Sequence, residues 1–318
     1  MWWLLGVALF LFFAVLLTAY ICFYMVFYAS PKSRIAKEEY PIPEGEIYEP
    51  YRAQMTEWMK AARAYPYREI EITSHDGLRL RGRYYEQEAG APIELLMHGY
   101  RGSADRDLSG GVARCFSLGH NALIVDHRAS GRSEGKVITF GILEHRDCLA
   151  WVGYILREID PHARIILTGI SMGAATVMIA AGEALPPNVV GVLADCGYTT
   201  AKEIICKVIA EMHLPPRLLY PFVRLGGRLF GGFDVDEKAP IEAMRRCRLP
   251  VIFFHGDTDD FVPCEMSHRN YEACTGEKRL VITPNAGHGL CYPADRETYA
   301  NALREFFDHR LQEQEKSV

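Results

Sequence analysis

An α/β architecture built on a mostly parallel sheet is predicted for this chain of 318 residues by three observations. Short β-branched runs alternate with helical runs from residue 93 onward, the pattern of a parallel sheet covered on both faces. Gly169-Ile170-Ser171-Met172-Gly173 reads G-x-S-x-G and joins an apolar strand to a run of small apolar residues; this is the sharp turn that lifts a serine hydroxyl out of a sheet. A cluster of aspartates and a histidine then follow, each just past a further strand, and in open α/β sheets ligands meet the carboxyl ends of the strands.

The composition agrees. With 49% hydrophobic and 24% charged residues the chain can bury one large core, and no second domain is required. The net charge of −5, with no run of like charges, gives no footprint for nucleic acid. Nine cysteines, odd in number and never spaced C-x-x-C, argue against both a disulfide framework and a zinc site, and suit a reducing compartment. Neither a metal nor a cofactor is expected.

In chain order, residues 2–29 contain no charged side chain. As a helix at about 1.5 Å per residue they reach roughly 40 Å, enough to cross a hydrocarbon core of about 30 Å. Trp2, Trp3, Tyr24 and Tyr28 fall near the ends, where amphipathic rings favour the interface. A cleaved signal peptide would want a basic start and a shorter apolar core; a buried core helix is the other alternative. A transmembrane helix over 2–29 is the expectation. Lys32, Arg34 and Lys37 follow it and only the terminal amine precedes it, which puts the remaining domain in the cytoplasm. The absence of any Asn-x-Ser/Thr acceptor agrees with that side.

Residues 30–66 are a linker, marked by Pro31, Pro41, Pro43 and Pro50. It leads to an amphipathic run over 51–64, with Met55, Trp58, Met59 and Ala62 at helical spacing. That helix is expected to pack on the domain or lie at the membrane surface. The main domain is expected over 67–318. Strands at 69–73 and 78–85 flank Ser74-His75-Asp76-Gly77, a hairpin signal. Six further strands are read at 93–97, 122–126, 164–168, 189–194, 251–255 and 280–283. Helices are read near 103–118, 142–157, 172–184, 265–274 and 295–312, which gives a sheet of about eight strands. Residues 198–248 interrupt the alternation with more apolar content than a solvated loop carries, including Ile204, Ile209, Leu218, Phe222, Val223 and Phe230. They form either a small helical cap over the site or one extra helix pair packed on the sheet.

The chemistry follows from three residue types in order. A serine hydroxyl is a poor nucleophile until a base takes its proton, and that base needs an acid to fix its tautomer and stabilise the imidazolium. Ser171 is the serine, and His288 in Gly287-His288-Gly289 is the histidine. The acid lies in His255-Gly256-Asp257-Thr258-Asp259-Asp260-Phe261-Val262-Pro263, where Asp257, Asp259 and Asp260 are all candidates; Asp195, at the end of its own strand, is another.

Five motifs stand in register over about residues 68–310: His98-Gly99-Tyr100-Arg101-Gly102-Ser103, a run from Asp126 to Gly135 reading D-x-R-x-x-G-x-S-x-G, the elbow, His255 to Pro263, and Gly287-His288. On these the chain resembles the α/β-hydrolase family, in its branch of cytoplasmic or membrane-anchored serine hydrolases. The resemblance implies Ser171 as nucleophile, His288 as general base and Asp259 as the acid, the position that H-G-x-x-D-x-x-V-P assigns. It implies an oxyanion hole from the backbone N–H groups of Tyr100 and Met172, with the Tyr100 side chain as a pocket wall. Ala129 stands where many relatives have glycine, so an altered turn is expected there. His98, Asp126, Arg128 and Ser133 are read as loop braces, and His75, His145 and His268 as ordinary surface or helix histidines.

The activity implied is cleavage of an ester, thioester or amide through an acyl-enzyme. The substrate would be a small-molecule or lipid-like acyl compound, as for a carboxylesterase, lipase or thioesterase. A serine peptidase and a catalytically idle, membrane-tethered binding module are the alternatives. Epoxide and halide chemistry are disfavoured, because those branches carry Asp where Ser171 stands.

Overall fold

The structure is a computed structural model and describes residues 2–34 and 38–315; Lys37, one of the three basic residues read as setting the membrane orientation, lies outside them. Helix α1, Trp2–Val26, is followed by short 3₁₀ turns at Pro31–Arg34 and Glu46–Tyr51 and by α2, Arg52–Ala64. Then come β1 (Arg68–Thr73), β2 (Arg79–Tyr85), β3 (Ile93–Met97), α3 (Ala104–Ser117), β4 (Asn121–Val125), α4 (Glu144–Tyr154), β5 (Ile165–Ile170) and α5 (Met172–Ala181). The chain continues through β6 (Val189–Asp195), α6 (Ala201–Glu211), α7 (Pro216–Gly226), α8 (Pro240–Met244), β7 (Val251–Gly256), α9 (Cys264–Ala273), β8 (Lys278–Thr283), α10 (Cys291–Ala294) and α11 (Arg296–Glu315).

The eight strands form one sheet in the order β1-β2-β4-β3-β5-β6-β7-β8. Only β2 runs antiparallel to its neighbours β1 and β4. The hairpin is closed by Gly77 at φ 88°, conformational space that suits glycine, and by the Ser74 hydroxyl, which accepts the Leu78 N–H at 2.9 Å. The central strands β3, β4 and β6 are buried along their whole length, which is why they read as continuous apolar runs instead of alternating ones. Alternate residues still face opposite layers. Leu95, Leu123, Leu167 and Val192 pack against α4 and α5. Leu96 and Ile124 pack against α3, and Leu193 and Phe254 against α11.

Two further helices lie outside this sandwich. Helix α2 packs on the domain: Met59 and Ala62 are buried, and Trp58 lies over α3 at Gly110 and stacks on Tyr292 with ring centroids 5.4 Å apart. Helix α1 is long and apolar enough to cross a membrane. It stops at Val26, three residues before the predicted end, because the chain there turns into β-like pairing: Ala29 N–H donates to Lys136 O at 2.9 Å and Ile138 N–H to Phe27 O at 2.8 Å. Its last turns are fastened to the body. Phe27 is fully buried between Phe140 and Phe233, and Gly226 of α7 is pressed onto the backbone of Ala19.

Candidate active site

The elbow is built from steric necessity. Ser171 sits at φ 56° and ψ −117°, a strained conformation for a residue with a side chain. It persists because its neighbours are glycines: a Cβ on Gly169 would collide with the backbone of Gly173, and one on Gly173 with the carbonyl of Met97. The Ser171 N–H is tied to Asp195 O across β5 and β6 at 2.8 Å. This geometry aims the hydroxyl away from the sheet at the carboxyl end of β5.

The structure brings together the three residues that the resemblance singled out. The Ser171 hydroxyl donates to His288 Nε2 at 2.9 Å, and His288 Nδ1 lies 2.7 Å from Asp259 Oδ2. Because a carboxylate can only accept, Nδ1 carries the proton and Nε2 is left as the acceptor that faces the serine. Asp259 is held from the other side as well: Oδ1 accepts the N–H groups of Phe261 and Val262 at 3.0 and 2.8 Å, and His255 Nε2 lies 3.1 Å from Oδ2. Burial opposes its ionisation, but the hydrogen bonds from His255 and His288 outweigh it and hold its carboxyl well below the usual carboxylate range. Two of the three rival acids are committed elsewhere. Asp257 Oδ1 accepts the Asn285 N–H at 2.6 Å, and Asp195 Oδ2 accepts the Tyr299 hydroxyl at 3.0 Å.

The N–H groups of Tyr100 and Met172 have no acceptor among the described residues. The Tyr100 loop is braced by Asp107, whose Oδ2 accepts the Gly99 N–H at 3.3 Å. The Tyr100 side chain borders the cavity, but its hydroxyl donates to Val26 O at 2.7 Å, at the end of α1.

The residues read as braces do bridge loops. Ser133 Oγ donates to Asp126 O at 2.7 Å, and Asp126 accepts the N–H groups of Ala104 and Arg132. Arg128 pairs with Asp147 and Asp76. His98 Nε2 accepts the His127 N–H at 3.0 Å. His145 is the helix alternative of its reading: it lies in α4, buried, with Nδ1 3.1 Å from Gly141 O. Ala129 adopts φ 59°, the left-handed backbone a glycine would favour, and keeps the turn by donating its N–H to Glu134 O at 2.7 Å.

Among the described residues, two groups of side chains come close enough to hold a cation: His75 with Asp76 and Asp147, and Cys196 with Asp259 and His288. In the first, the Arg128 guanidinium already bonds both carboxylates, at 2.8 and 2.7 Å. In the second, burial pushes the Cys196 thiol well up from its ordinary value, which opposes the thiolate a metal needs.

A cavity of about 540 Å³ opens at Ser171 and His288. Its outer wall is the segment 43–58, with Ile47, Tyr48, Met55 and Trp58, and no residue of 198–248 lines it. The apolar residues that made 198–248 resemble a cap are used otherwise: Ile204, Ile205, Tyr220 and Val223 are buried together with Phe23 and Phe27 at the end of α1. Tyr48 and His255 are the site residues that sequence reasoning missed. The Tyr48 hydroxyl donates to His288 O at 3.0 Å, and no spacing could have linked positions 240 residues apart. His255 stands inside a motif already quoted, so its company was a signal; its bond to Asp259 was not legible.

Comparison with known proteins agrees with this architecture. Residues 95–239 match the family described as the α/β hydrolase fold. The Bacillus subtilis protein YqkD is 33% identical over 195 residues, 61% of this chain and 64% of its own length, so less than two thirds of that relative is covered. The Mycobacterium tuberculosis protein Rv2307c is 28% identical over 243 residues, 75% of this chain and 78% of its own. Among solved structures, the Pyrococcus furiosus esterase Pf2001 superposes with a TM-score of 0.62 at 22% identity, over 79% of this chain and 94% of that one. The chain therefore has the α/β-hydrolase fold.

Proposed function

We propose that the chain is a membrane-anchored serine hydrolase that cleaves an ester, thioester or amide of a lipophilic acyl group through an acyl-enzyme. The observation that carries this reading is the hydrogen-bonded series Ser171–His288–Asp259, 2.9 and 2.7 Å long. In this scheme His288 Nε2 takes the Ser171 proton as Oγ attacks the acyl carbonyl, and Asp259 stabilises the imidazolium. The oxyanion forms against the N–H groups of Tyr100 and Met172, and removal of such a donor typically costs about 3 kcal/mol of barrier. His288 then protonates the leaving group, and water releases the acyl chain by the reverse steps. The esterase named among the structural neighbours supports an ester substrate.

The anchor is α1. Its first turns are exposed and apolar, and exposed Leu229 and Phe230 extend that surface beside it, with Phe230 5.2 Å from the Tyr20 ring. Burial of Phe27 in the body favours a retained helix over a cleaved signal. Lys32 and Arg34 after the helix favour a cytoplasmic domain.

A fluorophosphonate probe tests the chemistry. Labelling of the native full-length chain, lost in Ser171→Ala, is expected; an unlabelled native chain would sink the reading and favour an idle binding module. An impermeant thiol reagent on intact cells tests the orientation, with a cysteine introduced next to Lys32 expected to stay unlabelled.

A further inference from the structure

The cavity does not end at Ser171. It continues beneath the elbow, between the sheet and the layer of α3 and α11, past Leu96, Thr168 and Leu193 to Arg114, Asp195 and Tyr299. Thr168 stands three residues before Ser171 along β5, so this inner chamber reaches about 10 Å below the nucleophile at roughly 3.3 Å per residue.

Gly110 and Gly111 in the interior of α3 line this cavity, at positions where glycine costs up to about 1 kcal/mol relative to alanine. A Cβ at Gly111 would stand 2.5 Å from Leu96 Cδ2, and one at Gly110 would stand 2.7 Å from Trp58.

At the far end two polar side chains are each 5% exposed. Arg114 pairs with Glu94 through Nη2 and lies over the Tyr299 ring, 5.8 Å from its centre. Asp195 Oδ2 accepts the Tyr299 hydroxyl. Arg114 Nε and Asp195 Oδ1 are left with no hydrogen-bond partner. A buried polar group without a partner costs about 1–3 kcal/mol, and here both residues that carry one line the same cavity.

We propose that the inner chamber receives the far end of the acyl chain and selects a chain that ends in a neutral group able to donate and accept, such as a hydroxyl. This rests on the serine-hydrolase reading above. A terminal hydroxyl accepts from Arg114 Nε–H and donates to Asp195 Oδ1. A terminal methyl leaves both groups unpaired. A terminal carboxylate meets Asp195, while the charge of Arg114 is already offset by Glu94.

The test uses the full-length chain in detergent and p-nitrophenyl esters in a length series. Each length ends in methyl, hydroxyl or carboxylate, with the acetate ester as reference. At the length that reaches the chamber, kcat/KM for the hydroxyl ester is expected to exceed that for the methyl ester by about tenfold or more. Gly111→Val is expected to abolish that preference and the turnover of long chains, while acetate is still cleaved. Equal rates for hydroxyl and methyl ends at every length, with acetate turnover intact, would overturn the inference alone: the chamber then holds only water. A preference for carboxylate ends overturns it too. An unlabelled Ser171 under fluorophosphonate removes the hydrolase reading, and this inference falls with it. The ester comparison needs no variant, so the inference stays testable if Gly111→Val fails to fold.

Discussion

At the scale of single residues, four aspartates competed for one role. Asp257, Asp259 and Asp260 lie within four positions of one another, so spacing alone could not separate them; the backbone of the loop after β7 does. It turns Asp259 inward against His288 and His255 while Asp257 is bonded to Asn285. Replacing Asp259 with asparagine keeps the shape but offers an amide where His288 Nδ1–H needs an acceptor. We expect kcat on an ester substrate to fall by about 10⁴-fold, with KM little changed. Kinetics of the full-length Asp259→Asn and Asp257→Asn chains in parallel check this, and a larger loss in Asp257→Asn would reassign the acid. His98 and His127 carry a different prediction. Burial lowers their pKa values to about 4 and about 3, against about 6.5 in an unfolded chain. Both are therefore neutral in the fold and take up protons when it opens. Their contribution to stability is complete above about pH 6.5 and is lost as pH falls toward those lower values. Urea midpoints measured across pH should begin to decline near pH 6.5; a midpoint flat down to pH 5 would contradict this.

At the scale of elements, strands were legible because each is a short apolar run with its own punctuation, and every predicted strand lies within two residues of an observed one. The elbow was legible in part for the same reason: Gly169 is demanded by backbone contact with Gly173, a local cause that leaves a local mark, whereas Gly173 is demanded by the carbonyls of Met97 and His98 at the distant end of β3. What covers the site was not. Apolar content in 198–248 marked burial for Ile204, Ile205, Ile209 and Val223 but not for Leu218, Leu229 and Phe230, which are exposed, and it could not say against what; the partner proved to be the end of α1. The wall of the cavity comes instead from residues 43–48 of the linker, whose prolines read as connection, and from Met55 and Trp58 of α2, a helix expected to pack on the domain or lie at the membrane surface. Tyr48 ties that linker to the His288 loop, at 3.0 Å. Tyr48→Phe removes this bond and leaves the ring in place, so the loop loses about 1 kcal/mol of restraint. The expected result is a fall in kcat/KM of about threefold to tenfold with Tm nearly unchanged, read by ester kinetics and thermal scans of the same preparations. A drop in Tm with unaltered kcat/KM would make Tyr48 a packing residue only.

At the scale of the whole molecule, the end of α1 is packed on the body instead of trailing from it. Phe23 in its last turn, with Phe27 and Ala29 just after it, is buried in a cluster shared with α6 and α7, and its closing carbonyls are taken by the side chains of Tyr100 and Arg101. The Arg34 guanidinium then fastens the chain to Ser133 O and Gly135 O. A helix held this way fixes the direction in which the cavity opens relative to any bilayer that α1 crosses. The fastening can be separated from the spanning part by choosing one phenylalanine from each. Phe27 is fully buried, whereas Phe10 is 71% exposed on the outer turns. Phe27→Ala should destabilise the body by about 3–5 kcal/mol, since the site is enclosed by Phe140 and Phe233 and cannot easily collapse. Phe10→Ala should leave the body unchanged, because lipid or detergent contacts its side chain in both states. Chemical denaturation of the two full-length variants in the same micelles makes the comparison. A shifted midpoint for Phe27→Ala alone means that α1 and the hydrolase fold are one cooperative unit. Equal midpoints would mean that the helix is a loose tether, and the orientation of the cavity would then be set by something other than Phe27.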